Sequence, residues 1–136
     1  MVTKTDIPLL ESKSQVIVIP VNCEGISVTG VQKQMEQYYP EVWEHYKLLC
    51  LNKVLRQGYP YFYEDDKYQF IFFPDKGYYS KNRERYLKMG FKYLKNKYEN
   101  FGIHTISFYS KNKMEQNLIN KFYNNISDLE VYCHEE

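Results

Sequence analysis

Cysteine is scarce in this chain. Cys23, Cys50 and Cys133 are odd in number, far apart and without a C-x-x-C pair. That excludes a disulfide framework and a zinc ribbon, and it fits reduced thiols in a cytoplasmic-type compartment. Charge of one sign is lacking too: 18 Lys and Arg stand against 17 Asp and Glu, a formal +1. No net field is available to coat a nucleic acid or a membrane surface, so recognition by charge must be local. Long apolar runs are absent; VIVIPV at 16–21 falls far short of the roughly 20 residues a spanning helix needs. The opening MVTKTDIPLLESKSQ has no apolar stretch behind a basic start, so no signal peptide is expected. His45, His104 and His134 show no ligand spacing, and no metal or cofactor is expected. G-x-S-x-G and P-loop lysine patterns are also missing.

Aromatic residues are what the chain has in excess: 15 Tyr and 8 Phe in 136 residues, with a single Trp. Lys, Asn and Ile are abundant alongside, a bias that AT-rich coding also produces. Tyrosine content alone therefore says little about function.

The patterning predicts one α/β domain over 1–136. Val16 to Val21 reads as a strand buried on both faces, with Pro20 near its end and a loop from Asn22. Apolar residues at helical spacing follow from Val31, and Pro40 divides them into two helices. Tyr61–Tyr63 and Tyr68–Phe73, separated by Glu64-Asp65-Asp66-Lys67, read as a hairpin with a charged turn. A stripe of Tyr86, Leu87, Phe91, Leu94, Tyr98 and Phe101 predicts a long amphipathic helix ended by Gly102. Strand 104–108, helix 114–125 and strand 129–133 complete the alternation. Such order builds a three-layer α/β/α sandwich around a mixed, mostly parallel sheet. Ligands bind such sheets at the C-terminal ends of the strands, here loops 22–30, 74–80 and 109–113.

In the first of these loops Gly25 and Gly30 lie between a buried strand and a helix start. Glycines there let backbone N–H groups approach phosphate, and the helix dipole favours the anion. The same spacing also suits a plain strand-to-helix turn.

The stretch VIVIPVNCEGISVTGVQKQMEQYYPEVWEHYKLLC resembles the opening of a macro domain, the ADP-ribose-binding module, and in particular its DNA ADP-ribosyl glycohydrolase antitoxin branch. Val21-Asn22-Cys23, Gly25, Gly30, Pro40 and Cys50 fall in register. Thr5-Asp6-Ile7, FIFFPDKGYYSKNRERYLKMGFKYL and Leu129-Glu130-Val131-Tyr132 extend the likeness over nearly the whole chain. The resemblance implies that Asp6 accepts from the adenine amino group and that Ile7 offers its backbone to the ring. Asn22 would contact the distal ribose, with Cys23, Gly25, Ser27, Thr29 and Gly30 shaping the loop around it and the diphosphate. Lys76 aligns with a lysine that some members use on the ribose anomeric carbon, so Lys76 and Asn22 are the catalytic candidates. Cys23 is carried in that family without a nucleophile's role. Residue by residue, the alternative for Asp6 is a turn cap, for Asn22 an Asx turn and for Lys76 a solvated side chain.

The departures are also specific. Ile19, Ser27, Val28 and Gln32 replace family asparagine, methionine, glycine and a small residue respectively. The second, glycine-rich phosphate loop is missing: 109–117 reads YSKNKMEQN, without glycine; the resemblance also implies an acidic partner in that loop, to which no residue is assigned. In its place Ser110 and Lys111, with Lys113, could hold phosphate by side chain, and Tyr78, Tyr79 or Tyr109 could stack a base or ribose. The expected function is recognition of an ADP-ribose-like nucleotide, free, cyclic or attached to nucleic acid or protein, with little hydrolysis. The alternatives are an ADP-ribosyl glycohydrolase using Lys76, or a collapsed macro fold that binds a protein partner, as a viral or phage counter-defence inhibitor would.

Overall fold

The middle strand sets the frame of the molecule, because its side chains alternate between two separate cores. In the computed structural model, which describes residues 1–76 and 82–135, this strand is β2 (Val16–Asn22), preceded by β1 (Val2–Thr5). Val16 and Val18 face one core while Ile17, Ile19 and Val21 face the other. A strand buried on both sides needs apolar residues at every position, which is what VIVIPV supplies. Then come α1 (Gly30–Tyr38), α2 (Pro40–Leu51), β3 (Tyr61–Glu64), β4 (Gln69–Lys76), α3 (Arg83–Lys97), β5 (Thr105–Ser110), α4 (Lys113–Tyr123) and β6 (Glu130–Glu135).

The six strands form one sheet in the order β1-β6-β5-β2-β4-β3, parallel throughout except for the antiparallel β3–β4 hairpin. The expected mixed, mostly parallel α/β/α sandwich is therefore present. Helices α3 and α4 cover one face through Leu87, Phe91, Leu94, Leu118, Ile119 and Tyr123. Helices α1 and α2 cover part of the other through Met35, Val42, Trp43 and Tyr46. Pro40 opens α2 at its first turn, where its missing N–H is harmless. Gly90 lets α3 approach the sheet: a Cβ there would lie 2.1 Å from Cζ of Phe73.

β1 is a strand that local pattern does not announce. Its residues, Val-Thr-Lys-Thr, become extended by pairing with β6 at the far end of the chain, Val2 opposite Val131 through Thr5 opposite His134. Beyond it, residues 7–14 lie over the sheet half that α1 and α2 leave uncovered. Ser107 Oγ lies 2.7 Å from both Ser12 Oγ and Ser14 Oγ and 3.0 Å from His134 Nε2, whose Nδ1 is 2.8 Å from the Ile7 carbonyl. A carbonyl only accepts, so Nδ1 carries the proton. Ser107 Oγ thereby links His134 Nε2 to the hydroxyls of Ser12 and Ser14. No described helix is long and apolar enough to cross a membrane.

Candidate functional site

Parallel β2, β4 and β5 end at the same edge of the sheet and bring the first loop, the end of β4 and the β5–α4 connection together. A pocket of about 170 Å³ there is lined by Asn22, Thr29, Gln32, Asp75, Lys76 and Lys111, among others. The register explains why. β2 pairs with β4 as Val21 opposite Pro74 and then Asn22 opposite Lys76, so one residue, Asp75, bulges out of the ladder. A bulge bends its strand and re-aims the side chains beside it. Lys76 is exposed at the pocket beside Asn22, whereas Asp75 is buried at 4% exposure. The two catalytic candidates of the sequence are neighbours across the sheet.

Asn22 organises the loop by its own side chain. Oδ1 accepts from the backbone N–H of Glu24 (2.9 Å), Gly25 (3.1 Å) and Ile26 (3.4 Å), and Nδ2 donates to the Ile26 carbonyl (2.9 Å). Tyr46, buried on α2, points its hydroxyl at the Asn22 carbonyl and Oδ1. Burial pushes the Tyr46 phenol far above its ordinary value, keeping it a proton donor. Gly25 adopts φ +77°, and a Cβ there would touch Cys50 at 3.4 Å, so this loop turn calls for glycine. Gly30 meets nothing within 4 Å. Ser27 accepts from the Trp43 indole at 3.0 Å. Cys23 is half-buried, and burial raises its thiol to about 11, so it is no thiolate nucleophile.

The helix start beyond this loop is capped from within. Thr29 Oγ1 accepts from Gln32 N, and the Gln32 side-chain carbonyl accepts from Val28 N (2.8 Å) and Thr29 N (3.2 Å) while its amide donates to Pro20 O. The phosphate cradle expected of glycine-bordered amides thus has five of them, at positions 24, 25, 26, 28 and 29, already hydrogen-bonded to Asn22 or Gln32.

Where the second glycine loop is missing, an ionic cluster holds the corner. Arg83 donates to Asp75 Oδ2 from Nε (3.1 Å) and Nη2 (2.8 Å) and pairs through Nη2 with Glu115 Oε1. Glu115 Oε2 accepts from Lys111 N at 2.5 Å. Burial raises the Asp75 carboxyl above its ordinary value, against the pull of Arg83 and Lys111. Ser110 is buried and donates to the Asn112 carbonyl, while Tyr109 borders a small void with Arg83 and Glu115. Sequence reasoning missed Asp75, Arg83 and Glu115; the signal was a charged residue inside an otherwise buried apolar strand. Glu115 reaches this corner from the first turn of α4.

Asp6 and Ile7 stand elsewhere. They follow β1, separated from β2 by β6 and β5. Ile7 N donates to Thr5 Oγ1 and Ile7 O is bound by His134, so both of its backbone groups have partners within the chain. Tyr78 and Tyr79 lie outside the described residues. Among the described residues no cluster of metal-ligating side chains exists.

This architecture is that of the macrodomains. The chain superimposes on the macrodomain of Thermus aquaticus DarG with a TM-score of 0.87 at 20% identity, over 100% of this chain and 99% of that one. The macrodomain of Mycobacterium tuberculosis DarG gives 0.85 at 18% identity, over 98% and 97%. Thermosipho africanus DarTG, solved in complex with ADP-ribose, gives 0.86 at 16% identity, over 99% of this chain and 41% of that one. No protein-family model and no curated protein matches the sequence.

Proposed function

We propose that this chain binds an ADP-ribose-like nucleotide at the C-terminal edge of its sheet, as a reader or sequestering protein with little hydrolase activity. The observation that carries the reading is the pocket lined by Lys76, opposite Asn22 in the sheet register, and by Lys111, together with Asp75 and Gln32. The backbone N–H groups of residues 24, 26, 28, 29 and 111 in its lining already serve Asn22, Gln32 and Glu115, so the ligand's phosphate is held by lysine side chains. The macrodomain fold, and the ADP-ribose bound in the Thermosipho relative, favour this ligand over other anions. Carrier macromolecules bearing the nucleotide, nucleic acid or protein, fit the same mouth, whose lips include the exposed apolar Ile26 and Val28.

Isothermal titration of ADP-ribose against the wild type and Lys76→Ala tests this. Binding that weakens in Lys76→Ala and falls with added salt supports it; no binding below millimolar overturns it. A second reading, glycohydrolysis with Lys76 acting on the anomeric carbon, is favoured by the Asn22–Lys76 pairing. Release of ADP-ribose from modified DNA or protein by wild type, and not by Lys76→Ala, would establish that activity.

A further inference from the structure

A second recess lies at the other end of the sheet, between the α1–α2 junction and the turn of the β3–β4 hairpin. Its volume is about 380 Å³, and Tyr38, Tyr39 and Tyr68 form its aromatic walls. β4 runs from this turn to Lys76 in eight residues, so at about 3.3 Å per residue the recess stands roughly 25 Å from the pocket described above. The rings are held but not covered. Tyr39 meets Tyr68 edge to face at 5.0 Å and Phe70 at 5.2 Å, which braces Tyr68, yet Tyr68 stays 40% exposed. Tyr38 is 64% exposed and has no ring or hydrogen-bond partner among the described residues. Large aromatic faces left in water around a concave surface are what a partner's side chain covers.

The rim of the recess is acidic. Glu41, Asp65 and Asp66 stand there against one cation, Lys67, in a chain whose formal charge is only +1. Asp65 uses its oxygens to shape the turn, accepting from the Tyr63 hydroxyl and from the N–H groups of Lys67 and Tyr68. Glu41 and Asp66 have no ion-pair partner among the described residues. An apolar occupant would strip water from these carboxylates without replacing it, and an anion would be repelled. A cation with a flat face satisfies rings and acids together. Arginine has that chemistry: its guanidinium stacks on tyrosine, pairs with a carboxylate through two N–H groups and is more weakly hydrated than an ammonium.

We propose that this recess docks an arginine side chain of a partner polypeptide, its guanidinium stacked on the exposed tyrosines and paired with Glu41 or Asp66. The inference is independent of the nucleotide reading, because the two sites lie at opposite ends of β4.

The probe is a capped peptide of alternating glycine and arginine, titrated into the isotope-labelled full chain and followed by amide chemical shifts. Lysine and citrulline versions serve as comparisons; citrulline keeps the planar shape of arginine and removes its charge. The expected result is saturable shifts confined to residues 38–42 and 65–68, with the lysine and citrulline peptides weaker by about fivefold or more. Tyr38→Ala, at an exposed site without partners, is expected to weaken the arginine peptide by about fivefold. Asp66→Asn, on the exposed turn, is expected to weaken it by about threefold, so the test does not depend on one variant. The amide spectrum of each variant reports directly whether it is folded. Shifts that do not saturate or that fall elsewhere on the chain overturn the inference, and so does equal binding of the lysine peptide. Full affinity in both folded variants overturns it as well.

Discussion

Tyr46 places its phenolic oxygen 2.8 Å from the Asn22 carbonyl and 2.9 Å from Asn22 Oδ1, tying the middle of α2 to the first residue of the site loop. The loop's shape depends on a hydrogen bond from the core outward. Tyr46→Phe keeps the ring and deletes the donor, so the Asn22 carbonyl loses its O–H partner while Oδ1 keeps the three backbone N–H groups. It is expected to cost about 1–2 kcal/mol in urea denaturation. Ligand affinity, followed by titration, should weaken in parallel as residues 22–26 lose their anchor.

Gly90 and Phe73 make a second pair in which space decides. A methyl group at 90 would stand 2.1 Å from Phe73 Cζ, and the glycine lies on a packed helix that cannot yield cheaply. Gly90→Ala is therefore expected to lower stability by about 1–3 kcal/mol despite alanine's better helix propensity. Phe73→Leu added to it should recover part of that loss. Equal or greater loss in the double variant would show that the ring is not the obstacle.

Asp75 gives a pH dependence with a definite sign. Burial raises its folded-state pKa above the ordinary 3.8, so the folded chain holds the proton more tightly than the unfolded chain. The contribution of this group is present below the unfolded value and is lost as pH rises through the folded value. Urea midpoints of wild type relative to Asp75→Asn should fall as pH rises above about 3.8. A rise instead would mean that the attraction of Arg83 and Lys111 outweighs desolvation.

Cys23 is expected to be a slow thiol. With a pKa near 11, caused first by burial and then by the neighbouring Cys50, Asp75 and Glu24, its thiolate fraction at pH 8 is only about one in a thousand. Iodoacetamide labelling followed by mass spectrometry should modify it far more slowly than free glutathione, with the rate still climbing at pH 10. Fast labelling at neutral pH would show that the loop opens to expose it.

Much of the fold could be read from the sequence because its signals are local. The unbroken VIVIPV run, the break at Pro40, the charged hairpin turn 64–67 and the apolar stripe of α3 each name their element without reference to the rest of the chain. Lys76 and Asn22 could be singled out by resemblance, and their pairing across β2 and β4 follows from parallel strands ending together. β1 could not be read in this way, since four residues of mixed polarity become a strand only through β6, more than a hundred residues on.

The tyrosines divide along the same line. Sequence placed 15 of them in a chain of nearly neutral charge, and the fold then sorted them by packing: Tyr46, Tyr98 and Tyr123 are buried, and Tyr39 and Tyr68 meet edge to face at 5.0 Å. Glycine placement was likewise a matter of sequence, and with it the lack of a second backbone cradle. The ionic corner of the cleft was decided by tertiary structure alone. Asn22 and Gln32 reach their amides within a few residues, but Asp75, Arg83 and Glu115 come from β4, α3 and α4. Strand alternation puts Asp75 on the face of Ile71 and Phe73, and only the packing of α3 and α4 on that face sets Arg83 between Asp75 and Glu115, because buried charges must find their partners wherever the fold brings them.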